Sequence, residues 1–256
     1  MKLREFVDEF SEAGHETSLS VVNSSQPPTV FRMLDRLFTG QSIGVSEVSR
    51  ALSEADVVRL RRNGDVVAES NFEDVRDAIL AVNSDIYVTG SRSLADVETP
   101  DVVSSLQGLR FRVRGYPEGS KGKLLLIEIS RYIEAMALRH ERGELHTGFQ
   151  RLSRIADERG TRHAYEELAA TDLDVHVYGV GDASPLDSQS VTVHTDDAAE
   201  IRNGWFVVFA PPAGEDVSGA VLVAVTDDDT EWEGVWTVDT DAARRVAAYL
   251  DGTYGG

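Results

Sequence analysis

The sequence predicts an α/β fold, with α+β as the alternative: a mixed sheet with flanking helices, followed by an antiparallel β-sheet with one helix. Three observations carry this. Segments of period 2 alternate with segments of period 3.6 over roughly the first 181 residues. Asn63-Gly64 lies between two β-branched runs, the pattern of a tight hairpin. After the polar stretch 181–190 the texture changes to three apolar runs in succession and one short helix. The 256 residues suit one large domain or a domain with an appendage. The change of texture divides the chain into an α/β domain with an N-terminal helix, 1–181, and an acidic β-rich extension or subdomain, 182–256.

In chain order, residues 2–13 form an amphipathic helix. Leu3, Phe6, Val7 and Phe10 fall at i, i+3, i+4 and i+7, and Gly14 closes it. Residues 19–22 read as a strand. Pro27 and Pro28 open a second helix, with Val30, Phe31, Leu34, Leu37 and Phe38 facing a core. Residues 39–55 read as loop with a short helix. Residues 56–69 form the hairpin, because a type I′ turn needs positive φ at both central positions and Asn-Gly supplies it. Ser70 or Asn71 caps the next helix, whose inner side carries Phe72, Val75, Ile79 and Val82. A short strand follows at 85–89. Thr99-Pro100-Asp101 starts a helix that Gly108 stops.

Residues 109–116 form a strand with Leu109, Phe111 and Val113 on one face. Arg110, Arg112, Arg114 and Tyr116 occupy the other. The helix 121–141 carries a stripe of Leu125, Ile129, Ile133 and Met136, with Leu124 and Leu138 near its opposite side. Such a helix is covered twice or serves as the seam of a homodimer. Its Glu128 and Arg131 read as an i,i+3 pair. Gly143 ends it. Strands at 145–152 and 173–180 flank a helix at 158–170. The later strands are 205–210, 220–226 and 231–238, before a helix at 242–250. Trp205, Trp232 and Trp236 read as core or cover of that last sheet, and Asp227-Asp228-Asp229 as a solvated hairpin loop.

The charge is unusual. The chain has 25 basic and 44 acidic residues, a net −19, and only Lys2, Lys121 and Lys123 are lysine. Such a surface suits high salt, where screening shortens repulsion to about 3 Å at 1 M. A halophilic cytoplasmic protein is expected, and nucleic acid is not an expected partner. No cysteine is present, which removes disulfides and thiol catalysis. No run of about 18 apolar residues marks a membrane span, and the first residues do not form a secretory signal.

One stretch departs from this acidity. Residues 109–163 carry a net +5, against −8 before and −16 after. Arg110, Arg112 and Arg114 share a strand face, and guanidinium suits carboxylate or phosphate. Lys121 and Lys123 follow in a glycine-bearing turn ahead of a helix N-terminus, where free N–H groups attract anions. The turn is not a nucleotide-binding Walker loop: Pro117 replaces its first glycine, and Leu124 stands where Ser or Thr would hold magnesium. Tyr116, His146, Gln150 and Arg151 complete the candidate ligand-binding set. The histidines at 15, 140, 146, 163, 176 and 194 show no HExxH or HxH spacing, and no GxSxG or GxGxxG segment occurs. No catalytic residue, metal or cofactor is therefore expected.

The segments RLRRNGDVVAES, FEDVRDAILAVNSDIYVTGSRSL, LRFRVRGYPEGSKGKLLLIEISRYIEA, GELHTGFQRLSRI and ERGTRHAYEELAATDLDVHVYGV occur in this order. Together they resemble the DICT sensory domain, in its stand-alone haloarchaeal form, over about residues 19–181. The resemblance implies an intracellular signal-input module. It supplies no catalytic residues, and the last 70 or so residues match no output enzyme. The expected function is therefore non-enzymatic binding of a small anionic ligand or a signalling partner protein through the residues above. Two alternatives stand beside it. One is an enzyme acting on a phosphorylated or carboxylated metabolite, with Lys121 or Lys123 as anion clamp and His146 as acid–base. The other is a structural dimer through helix 121–141.

Overall fold

A computed structural model describes residues 2–11, 16–22, 43–48, 56–84, 93–114, 120–181, 190–227 and 231–255. The helix expected after Pro27, the strand at 85–89, Tyr116, the Gly119 turn and the 181–190 stretch beyond Gly181 and Ser190 lie outside them. So do Gly14, Asp228 and Asp229, and the side chains of Ile79, Val82, Arg114, Lys121 and Lys123. The fold is α/β, built on two mixed sheets.

The smaller sheet has the order β2-β1-β3-β4, from Ile43–Val48, Thr17–Val22, Val57–Arg62 and Asp65–Asn71. β3 and β4 form the expected hairpin. Asn63 and Gly64 both take positive φ, 52° and 90°. Asn63 N–H also donates to Glu16 O, fastening the turn to β1. β2 falls within the stretch 39–55 read as loop with a short helix, of which only residues 43–48 are described, and it runs parallel to β1. Ile43 and Val45 pack on the core, while Gly44 and the last three residues, Val48 among them, are exposed. An edge strand of this kind has one half-buried face and little periodicity to read.

The larger sheet has seven strands, β5-β11-β10-β9-β6-β7-β8. These are Phe111–Arg114, Glu231–Thr237, Ala220–Thr226, Gly204–Ala210, Arg142–Arg151, Asp172–Val180 and Val191–Thr195. Pairing is antiparallel from β5 to β6 and parallel from β6 through β8. The three C-terminal strands stand inside this sheet, between β5 and β6, so strands from both sides of residue 181 alternate in one layer. β8 had gone unread: its period-2 run VTVHT follows a polar stretch and is five residues long.

Helices close both faces. The helix α1, Leu3–Phe10, is shorter than its periodicity suggested. With α8, Thr240–Tyr254, it covers the face bearing Phe206, Val208, Val221, Val223 and Val235. Between these ends, α2 spans Phe72–Ser84 and α3 Asp101–Ser104, with a 3₁₀ turn at Leu94–Asp96 before α3. Helix α4, Ser120–His140, covers the opposite face together with α6, Arg159–Ala169; α5, Ser153–Asp157, precedes α6. α7 is the single turn Ala199–Arg202.

Helix α4 is covered twice. Leu125, Ile129 and Ile133 are buried, and so are Leu124, Leu126, Ala135 and Ala137 on other sides of it. The larger sheet lies on one flank, and α2 and the 3₁₀ turn on the other. Each fully buried aliphatic side chain contributes about 1.5–3 kcal/mol. This explains a helix apolar around most of its circumference. Trp232 and Trp236 are buried in the same core, and Trp205 packs edge-on to Trp232.

Two glycines give opposite expectations. Gly143 sits at φ +106°, where an added Cβ would meet Ala210 O at 2.6 Å. Gly143→Ala is expected to destabilise by about 1–3 kcal/mol in denaturant unfolding. Gly252 lies in α8 with open space at its Cβ position. Gly252→Ala is expected to be neutral or to stabilise by up to about 1 kcal/mol in the same measurement.

Candidate functional site

The sheet places the expected binding residues at separate points. Arg110 precedes β5 and Arg112 lies within it; among the described residues the strand begins at Phe111 rather than at 109. Glu233 of β11 stands opposite Arg112 in register. Its carboxylate takes Arg112 at 2.8 Å and Arg110 at 3.1 Å, and Asp8 of α1 adds a second partner to Arg110 at 3.0 Å. The like charges of this strand are thus offset by carboxylates of β11 and α1. Arg114 stands opposite Glu231 in the same ladder. His146 lies on β6, four strand positions from β5, or about 19 Å at the usual spacing. It is fully buried, with Nδ1 2.9 Å from the Tyr178 hydroxyl. Gln150 and Arg151 end β6, Gln150 buried and Arg151 exposed.

Of these, Gln150 opens on a cavity. About 310 Å³ of space lies between α4, α5, α6 and the carboxyl end of β6. This is the end of a strand with an antiparallel neighbour on one side and a parallel one on the other, a place where α/β sheets commonly leave a crevice. The local backbone makes the crevice. The β6–β7 register shifts between Gly148 and Arg151, and Gln150 takes φ +55°. That left-handed conformation costs a non-glycine residue about 1–3 kcal/mol and is held by its surroundings. Gln150 Nε2 donates to Gly204 O at 2.7 Å. Its Oε1 is buried and has no hydrogen-bond partner among the described residues.

The cavity wall is a buried polar chain. Arg131 Nη1 donates to Glu134 Oε2 at 2.6 Å, and Arg131 Nη2 to Thr161 Oγ1 at 3.1 Å. Thr161 in turn donates to Glu158 Oε2 at 2.8 Å. The Tyr165 hydroxyl donates to Glu134 Oε1 at 2.9 Å and accepts from Thr147 Oγ1 at 2.7 Å. Burial opposes the charge on Arg131, but the adjacent Glu134 carboxylate outweighs it and raises its pKa. Burial, reinforced by the Glu134 charge, pushes the Tyr165 phenol well above its usual range. The i,i+3 pair of α4 is therefore Arg131–Glu134, not Glu128–Arg131; Glu128 Oε1 lies 3.5 Å from the Thr99 hydroxyl.

Trp205 supplies a flat apolar wall, its Nε1 donating to Ser130 Oγ at 3.1 Å, and Phe149 lies nearby. Arg154, half-buried, also lines the cavity and makes no ion pair among the described residues. The arrangement can hold a small molecule by one cationic group, one free acceptor and an aromatic surface. Glu134, Thr147 and Tyr165 carry no reading in the sequence, and Arg131 and Trp205 read there as part of a helix pair and as sheet cover rather than as site residues. The available signal was Ser130, Arg131 and Glu134 on a helix otherwise apolar on most sides.

Among the described residues, no helix is long and apolar enough to cross a membrane. No curated protein matches the chain. Among solved structures, a polyphosphate kinase from Porphyromonas gingivalis is similar at 10% identity and a TM-score of 0.30. The alignment covers 97% of this chain and 47% of that one, so the chain spans about half the kinase's length. Residues 103–225 match the DICT family, described as a sensory domain in diguanylate cyclases and two-component systems, and this span contains every residue that lines the cavity.

Proposed function

We propose that the protein is a signal-input module that binds a small anionic metabolite in the cavity at the end of β6 and passes the bound state to a partner signalling protein. The observation that carries this is the cavity itself: about 310 Å³, within the sensory-domain match, and walled by a buried hydrogen-bonded chain. Its size suits a small metabolite. In this reading Arg154 meets the anionic group, Gln150 Oε1 accepts a hydrogen bond from the ligand, and Trp205 covers its apolar part. Arg131 and Glu134 hold the wall. The resemblance to a sensory family supports input rather than catalysis. The acidic composition supports an origin in high salt.

Trp205 gives the binding test a signal of its own. A panel of small carboxylates and phosphates should contain at least one compound that changes tryptophan fluorescence saturably. Arg154→Ala and Gln150→Ala should each weaken that compound about 10- to 100-fold, the loss of about 1.5–3 kcal/mol. Arg112→Ala, on the far strand, should leave it unchanged. Saturable binding that survives both cavity variants would place the ligand elsewhere.

The wall makes a separate prediction about stability. Glu134→Ala leaves Arg131 buried without its carboxylate and should cost about 3–5 kcal/mol in denaturant unfolding. The double variant Arg131→Met, Glu134→Leu should recover most of that loss. Molar KCl should raise the thermal midpoint of the wild-type chain, the direction a net charge of −19 requires.

A further inference from the structure

The opposite face of the same strands carries a second group of polar residues that the cavity does not use. β6, β7 and β8 are parallel, and their register aligns Glu144 with Asp174, His146 with His176, and Tyr178 with His194. The rings form a column. His146 and His176 stack at 4.5 Å between centroids, and Tyr178 and His194 at 4.4 Å. Asp251 of α8 closes over it. The adjoining positions on this face, Val208 and Val221, are apolar.

The two nitrogens of each imidazole are treated differently. The outer ones face carboxylates two residues back on their own strands. His176 Nε2 lies 3.2 Å from Asp174 Oδ1, and His146 Nε2 lies 3.5 Å from Glu144 Oε2. The inner ones converge. His176 Nδ1 is 2.9 Å from His194 Nε2, and His146 Nδ1 is 3.7 Å from Asp251 Oδ1. One donor atom each from His146, His176 and Asp251 falls within 4.8 Å of the others. An imidazole whose second nitrogen is oriented by a carboxylate is the usual form of a metal-bound histidine. Two nitrogens on one tetrahedral ion with bonds of about 2.05 Å stand about 3.3 Å apart, so the hydrogen-bonded His176–His194 pair, at 2.9 Å, would open slightly to share an ion.

Hydrogen bonds account for the inner nitrogens, from His146 Nδ1 to the Tyr178 hydroxyl at 2.9 Å and between His176 Nδ1 and His194 Nε2, but not for the outer nitrogen of His146. His146 is fully buried, and its Nε2 has no hydrogen-bond partner in good geometry among the described residues. Aliphatic side chains would fill this face as they do at Val208 and Val221, without that desolvation. Nor is the group sealed. Asp251, Glu144 and Asp174 are 45%, 50% and 65% exposed, so an ion has a path from solvent. Asp251 and the half-buried His194 are the members that side-chain rotation can bring inward.

We propose that His146, His176, His194 and Asp251 form a binding site for a divalent transition-metal ion of the zinc class, with Glu144 and Asp174 beside the outer nitrogens of His146 and His176. Nitrogen-rich ligands with one carboxylate favour such ions over magnesium or calcium. Asp251 lies on the C-terminal helix and the histidines on three strands, so the ion would pin α8 to the sheet.

The full chain, stripped with a chelator, should bind Zn²⁺ at one ion per chain in 1 M KCl with excess Mg²⁺. Those conditions suppress loose binding to the acidic surface. Co²⁺ in its place should give visible absorption of a nitrogen- and oxygen-ligated ion, and Zn²⁺ should raise the thermal midpoint. His176→Ala should abolish the cobalt spectrum. Asp251→Asn, at an exposed position that leaves the fold intact, should weaken Zn²⁺ at least tenfold. Glu144→Gln should weaken it about 10- to 100-fold. His163→Ala, on α6, should change nothing. Absence of one-to-one binding to the wild-type chain overturns the site, and so does wild-type affinity in either His176→Ala or Asp251→Asn.

Discussion

Strand β6 sets the constraint on which the rest of the molecule depends. Successive side chains of a strand must point to opposite faces. Leu145, Thr147 and Phe149 therefore go toward α4 and α6, while Glu144 and His146 go toward α8. Within the larger sheet, β6 is also the described strand with an antiparallel neighbour on one side and a parallel one on the other. The shift at Gly148–Arg151 then breaks the alternation where the parallel ladder ends. It turns Gln150 into a left-handed conformation and opens the cavity. One strand thus supplies a cavity wall on one face and a stacked imidazole on the other. A single-residue slip of its register would exchange the two sets and bury the wrong groups on both sides.

The buried charges fit the same scheme. Arg131 and Glu134 sit where the sheet and α6 exclude water, and an ion pair there contributes little net stability over an apolar pair. What it does contribute is geometry. Arg131, Thr161, Glu158, Glu134, Tyr165 and Thr147 form one hydrogen-bonded chain across α4, α6 and β6. A change in the position of any one element must be met by the others. Such a chain suits a wall that senses occupancy of the space beside it.

Local features were legible in the sequence, and partnerships were not. The hairpin could be read because Asn63-Gly64 specifies its own turn. Helix α4 could be read because its apolar stripe, Leu125 to Met136, runs for about three turns. The choice between double cover and a dimer seam depended on what lies across it, and nothing local encodes that. The arginine strand was read with the correct facing, yet the carboxylate that satisfies it lies 123 positions away from Arg110. Arg131 and Glu134 carry the spacing of an ordinary exposed helix pair, so their burial was invisible. The histidines share no ligand spacing along the chain; they meet through the parallel register of three strands. The sensory-family resemblance read at 19–181 overlaps the match at 103–225 but stops before the strands that complete the sheet.

The placement of β9 to β11 between β5 and β6 has a consequence for how the chain is made. β5 pairs with β11, so residues 111–114 wait for residues 231–234 to be synthesised. β6 also presents a bare edge to solvent until its antiparallel partner β9, Gly204–Ala210, is made. Contacts between residues so distant along the chain form slowly, since a long loop must close before any pairing offsets its entropy. The hairpin and the small sheet can form early from neighbouring residues. The larger sheet can close only after β11 is made, and a nascent chain halted before it would leave β5 and β10 without the partner that joins them. Strong negative charge is an asset in that interval, because chains that repel one another are slow to join at their open edges.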